Sequence, residues 1–361
     1  MDLHRLRSAL AAAALVTIAL AAAPGAQAAT VETVARGLDN PRGVALGPDG
    51  AVYVANSGRG GRTCRGKGEN SQCFGLTGRV VRVAGGNVQT IAKGFFSVGG
   101  RHGEFAGGVD GVSVAPDGTV FGLTGSATPK DVKSLPKPAR RQAGRLFEVS
   151  GGNFDAVARI DQVEWKQNID GVKGDRNSNP YAVLALADRQ IVADAGANAI
   201  LEVRNGQVEV LAVMPKNGKA QSVPTSLAVG PNGDILVGEL ALGAGKGKAR
   251  VWRIPAAGGP PVVQATGFTA ITGVAIGPDG SLFVTEFAQN LEKGNLAGAV
   301  VRLAPDGTRI RLGGKKLLAP TGAAVDSTGA VYVSNFSVLP AKTPKKSDFG
   351  GAGGTLVKIT P

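Results

Sequence analysis

Four carboxylates stand at matched places in a repeating chain. Asp194, Glu239 and Glu286 each close a short apolar run, and Asp110 precedes another. Asn56, Thr124 and Asn335 close runs of the same kind, with Asp194 set one residue off the common spacing. Arg42, Tyr181, Thr225, Thr272 and Thr321 stand where Asp110 stands, just ahead of the run before. Carboxylates and amides gathered around a ring are hard oxygen ligands suited to Ca²⁺, or to Mn²⁺ or Mg²⁺. The same side chains can instead hydrogen-bond strand-end backbone or pair with Arg42, and spacing alone leaves both readings open. The expected ligand-binding set is Arg42, Asn56, Asp110, Tyr181, Asp194, Glu239, Glu286 and Asn335. The expected metal ligands within it are Asp110, Asp194, Glu239 and Glu286.

Other chemistry is poorly supplied. A leader ending at Ala28 would leave His102 as the sole histidine, so a Ser-His-Asp triad would have to use it. His102 sits in Gly99–Glu104, which reads as a loop. Gly243–Gly247 precedes no helix and is not a phosphate loop. Cys64 and Cys73, the only cysteines, share one loop and predict a disulfide in an exported chain.

Export is read from the first residues. Arg5 and Arg7 precede the apolar run Ser8–Ala23, and Ala26-Gln27-Ala28 fits a small-x-small cleavage site. The run falls short of the roughly 20 residues of a spanning helix. Residues 1–28 are therefore expected to be a signal peptide, and 29–361 a single secreted domain. The chain has 40 Lys and Arg against 27 Asp and Glu, a formal charge of +13. Such a charge attracts anionic cell-wall polymers or anionic lipids, or serves solubility alone. Lys130, Lys133, Lys137, Arg140, Arg141 and Arg145 cluster in one segment stiffened by prolines, and Lys342, Lys345 and Lys346 in another. Without a helix-turn-helix, zinc finger or aromatic–basic interleaving, nucleic acid is not an expected partner.

The elements that must position these residues come from the repeat. Asn40-Pro41-Arg42-Gly43-Val44-Ala45-Leu46-Gly47-Pro48-Asp49-Gly50-Ala51-Val52-Tyr53-Val54 returns, edited, at 109–121, 224–237, 271–284 and 320–333, with a copy one residue shorter at 180–193. Each copy reads as two strands joined at the Pro-Asp-Gly turn, followed by a third and a fourth strand. The last copy lacks its fourth strand, and Val31–Gly37 resembles Gln89–Gly94. The prediction is an all-β, six-bladed β-propeller of four-stranded antiparallel blades, closed by its N-terminal strand. The long insertions 57–77, 125–143, 241–248, 288–297 and 337–354 then share a face with the candidate residues, which marks it as the working face.

Further residues carry a resemblance. Asn177-Ser178-Asn179-Pro180-Tyr181 with Val192–Asn198, Val223–Ser226 with Val237–Leu240, Ala249–Arg253 and the Cys64/Cys73 insertion resemble the ScyD/ScyE family of exported propellers. The resemblance runs from about Thr30 to Pro361 and implies a propeller of the TolB-like or NHL-like class. A weaker similarity reaches Ca²⁺-dependent gluconolactonases, which hold the ion with Glu, Asn and Asp in the channel mouth. Here Thr225, Thr272 and Thr321 stand where an amide would serve that ring. Two functions follow as expectations. One is a binding or scaffold module for a small molecule, glycan or protein on the insertion-bearing face. The other is a divalent-metal-dependent hydrolase or lactonase.

Overall fold

The repeat's second runs, such as Val52–Asn56, Ile235–Glu239 and Leu282–Glu286, are strands buried at every position. Each lies between two neighbouring blades, so neither face meets water and polar–apolar alternation is lost. The computed structural model describes residues 29–68, 71–347 and 349–361; the expected signal peptide, 1–28, lies outside them.

Six sheets stand around one axis. Blade 1 holds Pro41–Leu46, Val52–Asn56, Gln72–Ala84 and Asn87–Gly99, and blade 2 holds Val109–Val114, Val120–Thr124, Arg145–Ser150 and Asn153–Arg159. Blade 3 holds Pro180–Ala185, Gln190–Asp194, Ala199–Arg204 and Gln207–Val213; blade 4 holds Pro224–Val229, Ile235–Glu239, Ala249–Ile254 and Val262–Phe268. Blade 5 holds Ile271–Ile276, Leu282–Glu286, Ala299–Leu303 and Arg309–Leu312. Blade 6 takes Thr321–Val325, Val331–Asn335 and Gly354–Thr360 from the chain's end and Thr30–Leu38 from its start. The N-terminal strand pairs antiparallel with the last one, from Thr30 opposite Thr360 to Leu38 opposite Gly354. The ring closes as the sequence predicts, and no blade is left with a bare edge from an unfinished unit.

Apolar side chains fill the seams between blades. Between blades 1 and 2, Phe95 stacks on Phe154 at 3.9 Å, and Phe147 meets both edge-on. Comparable clusters fill the other seams, among them Leu123, Leu146 and Leu201 between blades 2 and 3 and Val81, Val54 and Leu356 between blades 6 and 1. On the face opposite the insertions, turn aspartates pair with third-strand cations: Asp49 with Arg82, Asp234 with Arg253, Asp279 with Arg302, and Asp326 with Lys358. The side-chain hydrogen bond from Arg302 helps hold the Asp279 carboxyl down, to about 2.

The insertions are more ordered than the sequence suggests. In blade 1 the third and fourth strands run 13 residues each, past the body of the blade. Thr63–Arg65 adds a short strand there, with Cys64 opposite Cys73, and the two are bridged. In blade 2 the basic segment forms helices α1 (Pro129–Ser134) and α2 (Lys137–Gln142), each with a proline in its first turn. Val132 and Ala139 seat them on Phe96. Reduction of the disulfide is expected to expose Arg62–Lys67 to trypsin while the propeller's melting is unchanged, because the apolar seams lie elsewhere. Limited proteolysis with and without reductant checks this. Two titratable thiols in the unreduced protein would refute it.

Candidate functional site

Each first strand begins with a β-bulge. The ladder shifts between Val109 and Gly111, Pro180 and Ala182, Pro224 and Ser226, and Ile271 and Gly273, leaving Asp110, Tyr181, Thr225 and Thr272 as the extra residues. Blades 1 and 6 shift in the same region, next to Arg42 and Thr321. A bulge re-aims one side chain out of the pleat, here toward the blade seams around the axis. Glycine follows it in blades 1, 2, 5 and 6, and in blade 5 it is required. A Cβ on Gly273 would sit 2.4 Å from the Gly322 carbonyl oxygen, because neighbouring first strands close in there.

The ring divides into two kinds of seam. Thr225 donates to the carbonyl of Ile271, Thr272 to that of Pro320, and Thr321 to those of Pro41 and Arg42. These threonines stitch blade 4 to 5, 5 to 6 and 6 to 1, and their hydroxyls are spent on the scaffold. Blades 1 to 3 carry Arg42, Asp110 and Tyr181 instead. Arg42 donates to the Ala106 carbonyl, and its Nε lies 4.0 Å from Asp110 Oδ1 without a hydrogen-bond partner of its own. Burial pushes the Asp110 carboxyl up, against the pull of Arg42, Ser57 and the Gly108 amide. Burial also pushes the Tyr181 phenol up; Arg42 opposes this and Asp110 adds to it.

The two oxygens of Asp110 have separate tasks. Oδ1 accepts from the Ser57 hydroxyl at 2.7 Å and the Gly108 amide at 3.3 Å. Oδ2 has no hydrogen bond among the described residues. It faces Gly125 and Gly107, where added Cβ atoms would lie 2.8 and 3.8 Å from it. Both glycines line a cavity of about 420 Å³ between blade 1 and the α1–α2 insertion. Ser126, Asn179, Asp131 and Gln72 give it polar walls; Phe96 and Leu135 are among its apolar ones. Sequence reading found Asp110 but missed Ser57, Ser126, Asn179 and this cavity. The insertion's helices make the cavity, and a sequence read as a loop gave no sign of it.

The other carboxylates do not join Asp110. Glu239, fully buried, accepts from Arg250 Nε at 2.6 Å, Ser222 Oγ at 2.7 Å, Trp252 Nε1 at 2.9 Å and the Arg250 amide at 3.0 Å. Glu286 takes the Thr269 amide at 2.8 Å and pairs with Arg311. Asp194 takes the Ser178 hydroxyl and the amides of Asn179, Gly196 and Ala197; burial still lifts it to about 6. Asn335 binds the Leu318 amide and the Lys316 carbonyl, and Thr124 bonds the Gln142 and Arg145 carbonyls. These strand-end side chains tie down local backbone of their own blade or the link into it, so the expected single cluster at the mouth does not form. Asn56 is the exception, fully buried with neither amide atom hydrogen-bonded among the described residues.

Asp194 is also in step with its counterparts rather than offset. It lies opposite Pro180, as Glu239 lies opposite Pro224, and the missing residue of the short copy falls in the turn between Ala185 and Gln190. Among the described residues no three Asp, Glu, His or Cys side chains are grouped to hold a metal. The donor set is dispersed rather than gathered for a divalent cation: Asp194, Glu239 and Glu286 each bind donors of their own blade or neighbouring strand, and Asp110 stands apart from them. His102 is exposed and has no hydrogen-bond or ion-pair partner among the described residues.

One buried acid was not anticipated. Helix α3 (Gln162–Gln167) carries Glu164, only 1 % exposed, which accepts from the Ile169 amide and has no cation partner among the described residues. Burial lifts its carboxyl to about 7. The folded state thus holds this proton more tightly than the unfolded chain does. The stabilisation is full below the usual Glu range and is lost as pH rises through 7. Glu164→Gln should abolish roughly 2–3 kcal/mol of pH-dependent loss between pH 5 and 8, read from urea melts across that range. Parallel profiles for variant and wild type would refute it.

Known structures share this architecture. A gluconolactonase from Xanthomonas campestris superposes with a TM-score of 0.54 at 9% identity, covering 92% of this chain and 89% of that one. A putative gluconolactonase gives 0.53 at 13%, covering 92% and 91%. Regucalcin from Agrobacterium tumefaciens, a calcium-binding protein, gives 0.50 at 14%, covering 91% and 95%. At such identities the likeness is one of fold. No protein-family model and no curated protein matches the chain in sequence.

Proposed function

We propose that this propeller binds a small, uncharged, hydroxyl- or amide-bearing molecule in the cavity beside Asp110. The observation that carries the reading is Asp110 itself. It is a buried carboxylate with one oxygen held by Ser57 and Gly108, a loose cation at 4.0 Å, and the other oxygen turned to a cavity. An incompletely paired buried charge is costly, and such groups cluster at functional sites. The mixed walls suit a molecule with one polar edge and one apolar face. The reading matches the binding role expected of an exported propeller resembling the ScyD/ScyE family. The Cys64–Cys73 disulfide supports an oxidising compartment, and among the described residues no helix is long and apolar enough to cross a membrane. The metal-dependent lactonase is less well supported, because three of its four expected ligands, Asp194, Glu239 and Glu286, are engaged by arginine, hydroxyl and backbone donors and do not gather with Asp110.

The test compares wild type with Gly125→Leu, which places a side chain against Asp110 Oδ2. The probes are neutral monosaccharides and D-glucono-1,5-lactone in a thermal-shift assay. A probe at tenfold its Kd should stabilise the wild type by about 1.4 kcal/mol, a rise of about 3 °C, and leave the variant unmoved. Equal shifts in both proteins would place binding elsewhere. Lactone hydrolysis that needs Ca²⁺ would restore the hydrolase.

A further inference from the structure

We infer that the two insertions above the cavity form a docking site for a linear polyanionic glycan. Arg59, Arg62 and Arg65 project from the disulfide-bridged insertion of blade 1, and all are exposed. Lys130, Lys133, Lys137, Arg140 and Arg141 are exposed on α1 and α2 of blade 2. The two groups touch. Arg65 donates to the Ser134 carbonyl, and Arg140 donates to that of Lys133, so cations from both insertions meet at the end of α1.

What sets this patch apart is the crowding of cations: eight on two touching insertions, with Asp131 the one acidic residue described among them. On the opposite face, third-strand cations sit on turn aspartates, as in Arg82 with Asp49 and Arg302 with Asp279. Buried arginine does the same, as in Arg250 with Glu239. None of the eight insertion cations has a carboxylate partner among the described residues. Like charges brought together without partners repel, and an external polyanion relieves that repulsion. Arginine forks bind carboxylate or phosphate in pairs. The bridge Cys64–Cys73 and the packing of Val132 and Ala139 on Phe96 hold the cations in place beforehand, which lowers the ordering cost of binding. A glycan suits the site better than a bilayer. A membrane-bound surface adds several apolar anchors to its cations, whereas among the described residues Leu76 is the one large apolar side chain exposed on the blade 1 insertion and the helices expose none.

The experiment measures binding of fluorescein-labelled polygalacturonate by anisotropy at low and at physiological salt. The wild type should bind at low salt and weaken steeply as salt rises. Arg62→Ser/Arg65→Ser/Arg140→Ser should bind at least tenfold more weakly. Lys216→Ser/Lys219→Ser/Lys315→Ser removes the same charge from exposed positions in the links between blades 3 and 4 and between blades 5 and 6, and should bind like wild type. Circular dichroism and melting confirm that each variant is folded. Equal losses in both variants would reduce the effect to net charge and overturn the site. Tighter binding to phosphatidylglycerol vesicles than to the polymer, lost in the first variant alone, would replace the glycan with a membrane and overturn the proposal as well.

Discussion

Deleting Thr30–Arg36 should destabilise the entire propeller rather than one blade. The deletion removes the outer strand of blade 6, exposes the edge of Gly354–Thr360, and takes Ala35 out of the seam it shares with Val81 and Leu356. A closed ring holds every blade between two neighbours, so opening it loosens both flanks of the break. The expected loss is about 5 kcal/mol or more, the size of a typical domain's net stability, or a fall of about 10 °C in Tm. Aggregation should follow, since the bared edge offers unpaired backbone groups. Differential scanning calorimetry of the truncated and full proteins measures it. Superposable melts would show that ring closure contributes nothing.

Arg250→Ala should be the most damaging single substitution at the strand-end carboxylates. Its Nε and Nη2 both bond Glu239, and its guanidinium lies 4.3 Å from the centre of the Trp252 ring. Removing it leaves an ionised, fully buried carboxylate with neutral donors only, which costs about 3–5 kcal/mol. Glu239→Gln should cost less, since a neutral amide needs no cation. The pair also tests the metal question. If Glu239 were a cation ligand, Ca²⁺ would rescue Arg250→Ala and raise the wild-type Tm. The expectation is neither, with Ca²⁺, Mg²⁺ and Mn²⁺ at millimolar levels in chemical denaturation and melting. A mild Arg250→Ala, or a Ca²⁺-dependent rise lost in Glu239→Gln, would reverse the assignment.

The blades were legible because their signal is local and repeated. Pro-Asp-Gly between two apolar runs specifies a hairpin wherever it occurs, and counting the units exposed the missing strand that Thr30–Leu38 supplies. The site was legible only to the level of position. The repeat correctly aligned Asp194, Glu239 and Glu286 at strand ends, yet alignment says nothing of which way a carboxylate turns. Arg250, eleven residues beyond Glu239 and on the adjacent strand, decides that. Asp110 differs because its potential partner Arg42 comes from another blade and stops 4.0 Å short. Cross-blade distances of this kind have no trace in spacing. Helices α1 and α2 were hidden by Pro129, Pro136 and Pro138, which read as loop residues although Pro129 and Pro138 sit in first helical turns, where proline is tolerated.

The partition of the apolar interior among seams has an evolutionary consequence. Each cluster answers only to the two blades that make it, as Phe95 and Phe154 answer to Phe147 but not to Trp252. A volume-conserving exchange inside one cluster is tolerated with little cost and requires no adjustment in the others. Sequence can therefore drift cluster by cluster while backbone geometry persists. The shared fold at 9% identity over 92% of this chain is compatible with that independence.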